Sequence, residues 1–177
     1  HLVDAKQITI MDQRDNRARV SDAISKGATY VQDVITKENL DTQLSKYLKA
    51  GDFLLDLAWN IDANTILQWC YDHGVLYLNT SVEEWDPYEG GSNKHPLERT
   101  LYYRHMRMRE MRSTWTKTGA TAIVEHGANP GLVSHLVKKS LVDIATRALK
   151  EGKAASGVEA ALTSESYNDL AHLLNVK

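Results

Sequence analysis

Five short apolar runs, each followed by a stretch with helical periodicity, constrain this chain more than any other feature. They occupy residues 7–11, 29–34, 53–57, 75–78 and 121–124. Strands that alternate with helices lie parallel, because a parallel return needs a crossover of about a dozen residues or more and a helix supplies it. The third run, Phe-Leu-Leu-Asp-Leu at 53–57, is nearly all apolar, the pattern of a central parallel strand covered on both faces. The expected class is therefore α/β, a parallel sheet with helices on both faces.

The helical stretches read as 18–26, stopped by Gly27; 36–48, with Leu40, Leu44, Tyr47 and Leu48 on one face; 64–72; 97–115; and 132–149. The fourth carries Arg99, Arg104, Arg107, Arg109 and Arg112, with Leu97, Leu101, Met108 and Trp115 as its apolar stripe. Its arginines lie among Tyr102, Tyr103 and Trp115, but Glu98 and Glu110 offset them and the whole chain is at −2, so a solvated helix face is expected and nucleic acid is not. Residues 90–93, Gly-Gly-Ser-Asn, read as a mobile loop, and 152–157 as a small-residue linker. Residues 163–166 suggest a capping box before a helix at 167–174. The single cysteine, Cys70, rules out a disulfide framework or a cysteine-built zinc site within the chain, and no metal is expected. No run approaches the ~20 apolar residues that cross a bilayer, so no membrane partner is expected and the cytoplasm is the expected compartment.

Strand ends carry the candidate chemistry, since open α/β sheets bind ligands in the crevice beyond their strands' carboxyl ends. In dinucleotide-binding (Rossmann-like) folds an acid ending the second strand meets the adenine ribose; Asp12, followed by Gln13, is the candidate here. It favours NAD over NADP, although Arg14 or Arg17 could accept a 2′-phosphate, and Asp12 could instead cap the segment after it. The turn after run 53–57 would contact the cofactor through Ala58, Trp59 and Asn60, with Trp59 open to a lid role as well. Asn79, Thr80 and Ser81 end the next strand as ligand contacts or turn chemistry. The acidic and aromatic cluster Glu83-Glu84-Trp85-Asp86 suits an ammonium group, or is a solvated loop. In residues 122–135 an apolar strand turns through Gly127-Ala128-Asn129-Pro130-Gly131 into a long helix, with Pro130 suited to its first position and Asn129 capping it or facing the cleft. No G-x-G-x-x-G occurs, and the chain opens just before what reads as a second strand, so the Rossmann-like domain is expected to be incomplete at its N-terminus.

His126-Gly-Ala-Asn-Pro-Gly-Leu-Val-Ser-His135 with the ten residues after it, and Leu76-Tyr-Leu-Asn-Thr-Ser-Val-Glu-Glu-Trp85, resemble signature blocks of bacterial homospermidine synthase, an NAD-dependent polyamine family related to saccharopine dehydrogenase. Glu84 departs from the pattern, standing where proline is usual, and is expected to carry no chemistry. The resemblance implies that 1–150 form a partial dinucleotide-binding domain and 151–177 a linker and the start of a substrate and dimerisation domain. It implies a full-length homodimer that joins two putrescines into sym-homospermidine with loss of ammonia, NAD being a recycled redox group, and an inactive isolated fragment. Asn129 and Pro130 would lie by the nicotinamide, and Glu83 would bind an ammonium or move protons. The alternatives are a saccharopine or carboxynorspermidine dehydrogenase-type oxidoreductase, whose carboxylate substrates call for arginine clamps, and a non-catalytic nucleotide-binding module.

Overall fold

The computed structural model describes residues 3–88 and 93–176; positions 90–92 of the expected mobile loop lie outside them. The chain divides into two compact units, one of residues 1–78 and 82–123, the other of residues 79–81 and 124–177.

The first unit holds two blocks of sheet. Strands β1 (Thr9–Asp12) and β2 (Thr29–Gln32) pair in parallel, from Thr9 opposite Thr29 to Asp12 opposite Gln32. Strands β3 (Phe53–Asp56), β4 (Leu76–Asn79) and β5 (Ala122–Ile123) follow in that order, with β4 and β5 parallel through Tyr77–Ala122 and Leu78–Ile123. The usual dinucleotide-binding order is 3-2-1-4-5-6. Taken as the second to sixth strands of that order, the five present make the neighbours it requires. The expected burial of run 53–57 on both faces is not met: Phe53, Leu55 and Leu57 are exposed. β3 is the outer strand of its block, so its alternate side chains have no flanking strand to pack beside.

Helix α1 (Ser21–Ser25) follows a short 3-10 turn, and α2 (Leu40–Tyr47) begins four residues later than its periodicity suggests. Thr36 and Asn39 explain the delay. The Thr36 amide donates to Asn39 Oδ1 at 2.7 Å and the Asn39 amide to Thr36 Oγ1 at 3.3 Å, a reciprocal cap that uses one turn to lead into the helix. Helix α3 (Ala63–His73) is the best specified. Asp62 caps it by accepting from the Thr65 amide at 2.7 Å, and Gly74 at φ 70° ends it in the left-handed region. It buries Ile66, Leu67, Trp69 and Cys70; each large aliphatic there is worth roughly 1.5–3 kcal/mol. Trp69 Nε1 donates to Asp41 on α2 at 2.9 Å, and Tyr71 stacks on Trp115 at 4.1 Å.

The expected helix over 97–115 is two pieces, a 3-10 turn Pro96–Arg99 and α4 (Leu101–Ser113). Thr100 separates them because it is extended, at ψ 151°, and caps the second piece through its hydroxyl. The expected apolar stripe is not a buried one, since Leu97 and Leu101 are exposed.

The second unit packs α5 (Leu132–Lys150), α6 (Val158–Thr163) and α7 (Tyr167–Leu173) around Leu141, Ala145, Val158, Ala161 and Leu170. The expected capping box before α7 does not form. Ser166 Oγ bonds Asp169 at 2.6 Å, and Thr163 Oγ1 donates back to the Glu159 carbonyl at 2.8 Å. No helix among the described residues is long and apolar enough to cross a membrane.

Candidate functional site

In the first unit the candidate residues sit where strands end. Asp12 closes β1, and its carboxylate accepts from the Arg14 amide at 2.8 Å and from the Asn16 side-chain amide at 2.8 Å. Those two donors hold its carboxyl below the ordinary carboxylate range. It therefore shapes the turn after β1 rather than capping a helix, and each oxygen keeps a second lone pair for another donor. Tyr30 on β2 braces the same turn, donating to the Arg14 carbonyl at 2.6 Å and accepting from the Asn16 amide at 2.9 Å. Arg17 pairs with Asp15 at 2.8 Å and lies 5.1 Å over the Tyr30 ring. One of the two arginines that could take a 2′-phosphate thus has partners of its own. Gln13 is exposed beside Asp12.

The turn after β3 contains Ala58, Trp59 and Asn60. Trp59 is 73% exposed, and Asn60 sits at φ 58°. Asn60 Oδ1 is buried with no hydrogen-bond partner among the described residues. A buried acceptor left without a donor calls for an explanation, and a polar ligand is one. The residue missed by sequence reasoning is Asp56. It accepts from Tyr77 Oη at 2.7 Å and from the Ala58 amide at 3.0 Å. Burial pushes its carboxyl above the ordinary value, the two hydrogen bonds oppose this, and the charge of Glu83 adds to it. The signal was one acid ending an otherwise apolar strand.

Glu83 is half-buried in the segment after β4, and its carbonyl accepts from the Ala63 amide at 3.1 Å, fixing it at the start of α3. Glu84, expected to carry no chemistry, has a structural role. Its side chain, 16% exposed, meets Arg104 at 3.4 Å and Arg107 at 3.3 Å. Arg104 also donates to the Val82 carbonyl at 2.8 Å. Two arginines of α4 thus clasp this segment instead of lining a solvated face.

In the second unit Asn79 is buried, and its Oδ1 accepts from the Glu125 amide at 2.7 Å, so this side chain performs turn chemistry. Thr80 packs beside Gly127, where a Cβ would come 3.1 Å from its own. Pro130 is not the first residue of the helix, and Asn129 does not cap it. The Asn129–Pro130 peptide is cis, Gly131 at φ 110° stands at the cap position, and α5 begins at Leu132. The loop closes on itself: the Gly127 amide donates to the Pro130 carbonyl at 3.0 Å, and the Gly127 carbonyl accepts from Leu132 at 2.9 Å. The loop's carbonyls therefore take the amides that a capping side chain would otherwise have taken, and exposed Asn129 is left to reach outward.

Residues 1–123 match the family described as the saccharopine dehydrogenase NADP binding domain. The chain belongs to that family. It is also 31% identical over 147 residues to a homospermidine synthase of Mesorhizobium japonicum, covering 81% of this chain and 30% of that protein. A homospermidine synthase of Blastochloris viridis is 29% identical over 146 residues, covering 80% and 30%. Among solved structures, the homospermidine synthase of Legionella pneumophila in complex with NAD aligns with a TM-score of 0.69 at 27% identity, over 97% of this chain and 33% of that one. The chain thus spans about a third of the length of these relatives. Family membership gives the strand ends of the first unit their context, since open α/β sheets of this class bind ligands beyond their strands' carboxyl ends.

Proposed function

We propose that this chain is the dinucleotide-binding part, residues 1–150, and the opening of the second domain, 151–177, of a homospermidine synthase that uses NAD. The observation that carries the reading is joint. Residues 1–123 match the saccharopine dehydrogenase NADP binding domain, and nearly the whole length of the chain, 97%, aligns with a homospermidine synthase solved in complex with NAD. Asp12 would hold the adenine ribose, with Gln13 beside it. Ala58, Trp59, Asn60 and Thr80 would contact the cofactor, and Asn129 and Pro130 would border its nicotinamide. Bound NAD supplies a reversible store for two electrons and a proton's worth of charge as hydride. The chain's own part is orientation and charge. Glu83 would be the carboxylate that meets an ammonium of putrescine or moves its proton. Because Arg104 and Arg107 are engaged by Glu84, they do not stand ready as a clamp for a carboxylate substrate, which argues against the saccharopine-type reaction. In this reading the whole protein is a cytoplasmic homodimer, and the isolated chain is inactive.

The test is a chimera in which these residues replace the matching third of the Legionella enzyme. It is expected to form homospermidine and ammonia from putrescine only when NAD is added. A folded chimera that binds NAD and oxidises amines without coupling them would favour the oxidoreductase alternative instead.

A further inference from the structure

Asp56 has no place in the proposed reaction, yet it is held from two sides. It closes β3, and both carboxylate oxygens are engaged: Oδ1 accepts from the Ala58 amide at 3.0 Å, Oδ2 from the Tyr77 hydroxyl at 2.7 Å. An aspartate that accepts from the backbone two residues on makes a turn of its own, fixing the chain's direction there. Tyr77, 1% exposed on the neighbouring β4, ties that turn to the sheet. Immediately beyond lie Trp59, largely exposed, and Asn60, held at positive φ with an open acceptor.

We propose that Asp56 is a positioning residue: its ionised carboxylate, braced by Tyr77, holds the Ala58–Asn60 turn in the shape that presents Trp59 outward and sets Asn60 at positive φ. Any effect on the cofactor rests on the reading of that turn as a cofactor contact; the positioning itself does not. The anion accepts strongly at both oxygens, whereas the neutral acid carries a proton on one of them, which reverses or weakens the bond made there. The groups acting on Asp56 are Tyr77 from β4, Glu83 from the segment after β4 and Cys70 from α3. Burial and Glu83 disfavour the anion, while Tyr77 and the Ala58 amide favour it. Loosening therefore begins at a higher pH than the ordinary aspartate range, as pH falls through the raised value.

The test uses the 177-residue chain labelled with 5-fluorotryptophan, its four tryptophan resonances assigned with Trp59→Phe, alongside carbon-13 spectra of the aspartate carboxyls. The Trp59 resonance is expected to titrate with the same midpoint as the Asp56 carboxyl, above the usual aspartate range. Asp56→Asn should abolish that titration. Tyr77→Phe, which keeps the ring and removes the donor, should shift both midpoints upward together, a response that a merely structural tyrosine would not produce. A Trp59 resonance that keeps its titration in Asp56→Asn overturns the proposal, as do midpoints unmoved by Tyr77→Phe. Titrating NAD into the chimera with and without Asp56→Asn separates the two claims: an NAD affinity unmoved by Asp56→Asn contradicts the cofactor reading of the turn, while the coupled titration by itself supports the positioning.

Discussion

Replacing Gly131 with alanine tests the turn that presents Asn129 and Pro130, and Gly152 at the opposite end of α5 supplies the comparison. Gly131 sits at φ 110° and ψ −96°, where side chains of L-residues are strongly disfavoured. A Cβ there would come 2.8 Å from the Gly127 carbonyl oxygen and 2.8 Å from the His126 Cα, both backbone atoms that cannot step aside. Gly152 sits at φ 69° with nothing within 4 Å of its Cβ position. Gly152→Ala should therefore cost only the left-handed conformation, about 1 kcal/mol. Gly131→Ala adds a steeper backbone strain and a clash, for about 3 kcal/mol or more. Hydrogen exchange of the α5 amides reads this as opening: protection should fall about a hundredfold in Gly131→Ala and about fivefold in Gly152→Ala. All four tryptophans, Trp59, Trp69, Trp85 and Trp115, belong to the first unit, so their fluorescence should stay unchanged in both variants. Equal losses in the two variants would refute the argument that the closed loop, rather than glycine's freedom alone, demands Gly131.

Other predictions concern the first unit and are read in the chimera unless stated. Asp12→Asn keeps the turn's hydrogen-bonding size but removes the charge, and should weaken NAD roughly tenfold while narrowing any preference over NADP, measured by calorimetry. Glu83→Gln should leave NAD binding intact and abolish most putrescine turnover, whereas Glu84→Gln should lower stability by about 1–2 kcal/mol in urea melts, because Arg104 and Arg107 lose their shared anion. Burial pushes the Cys70 thiol up to about 12, so in the isolated chain at pH 8 a thiol reagent should react at least about a hundredfold more slowly with the native than with the unfolded protein.

The parallel architecture was legible because the strand and helix periods alternate, and α3 was legible to within a residue at each end, 64–72 against Ala63–His73. The turn at Gly127–Gly131 was legible as a turn but not in form: a proline before a helix reads as its first residue, and only the closed backbone bonds reveal that Gly131 holds the cap position. Glu84 illustrates the other limit. Its partners lie twenty and more residues ahead on α4, and nothing in local spacing pairs an acid in a loop with the fourth and seventh residues of a later helix. Asp56 was visible as a lone acid in an apolar strand, but its engagement with Tyr77 depends on β3 and β4 being neighbours.

The central claim, that NAD serves as a recycled redox group in joining two amines, is tested most directly by counting turnovers per cofactor. Chimera, putrescine and a small fixed amount of NAD are incubated, and homospermidine is measured against reduced cofactor. Many molecules of homospermidine are expected per NAD, with no net build-up of NADH. Reduced cofactor accumulating one for one with putrescine consumed would contradict the claim.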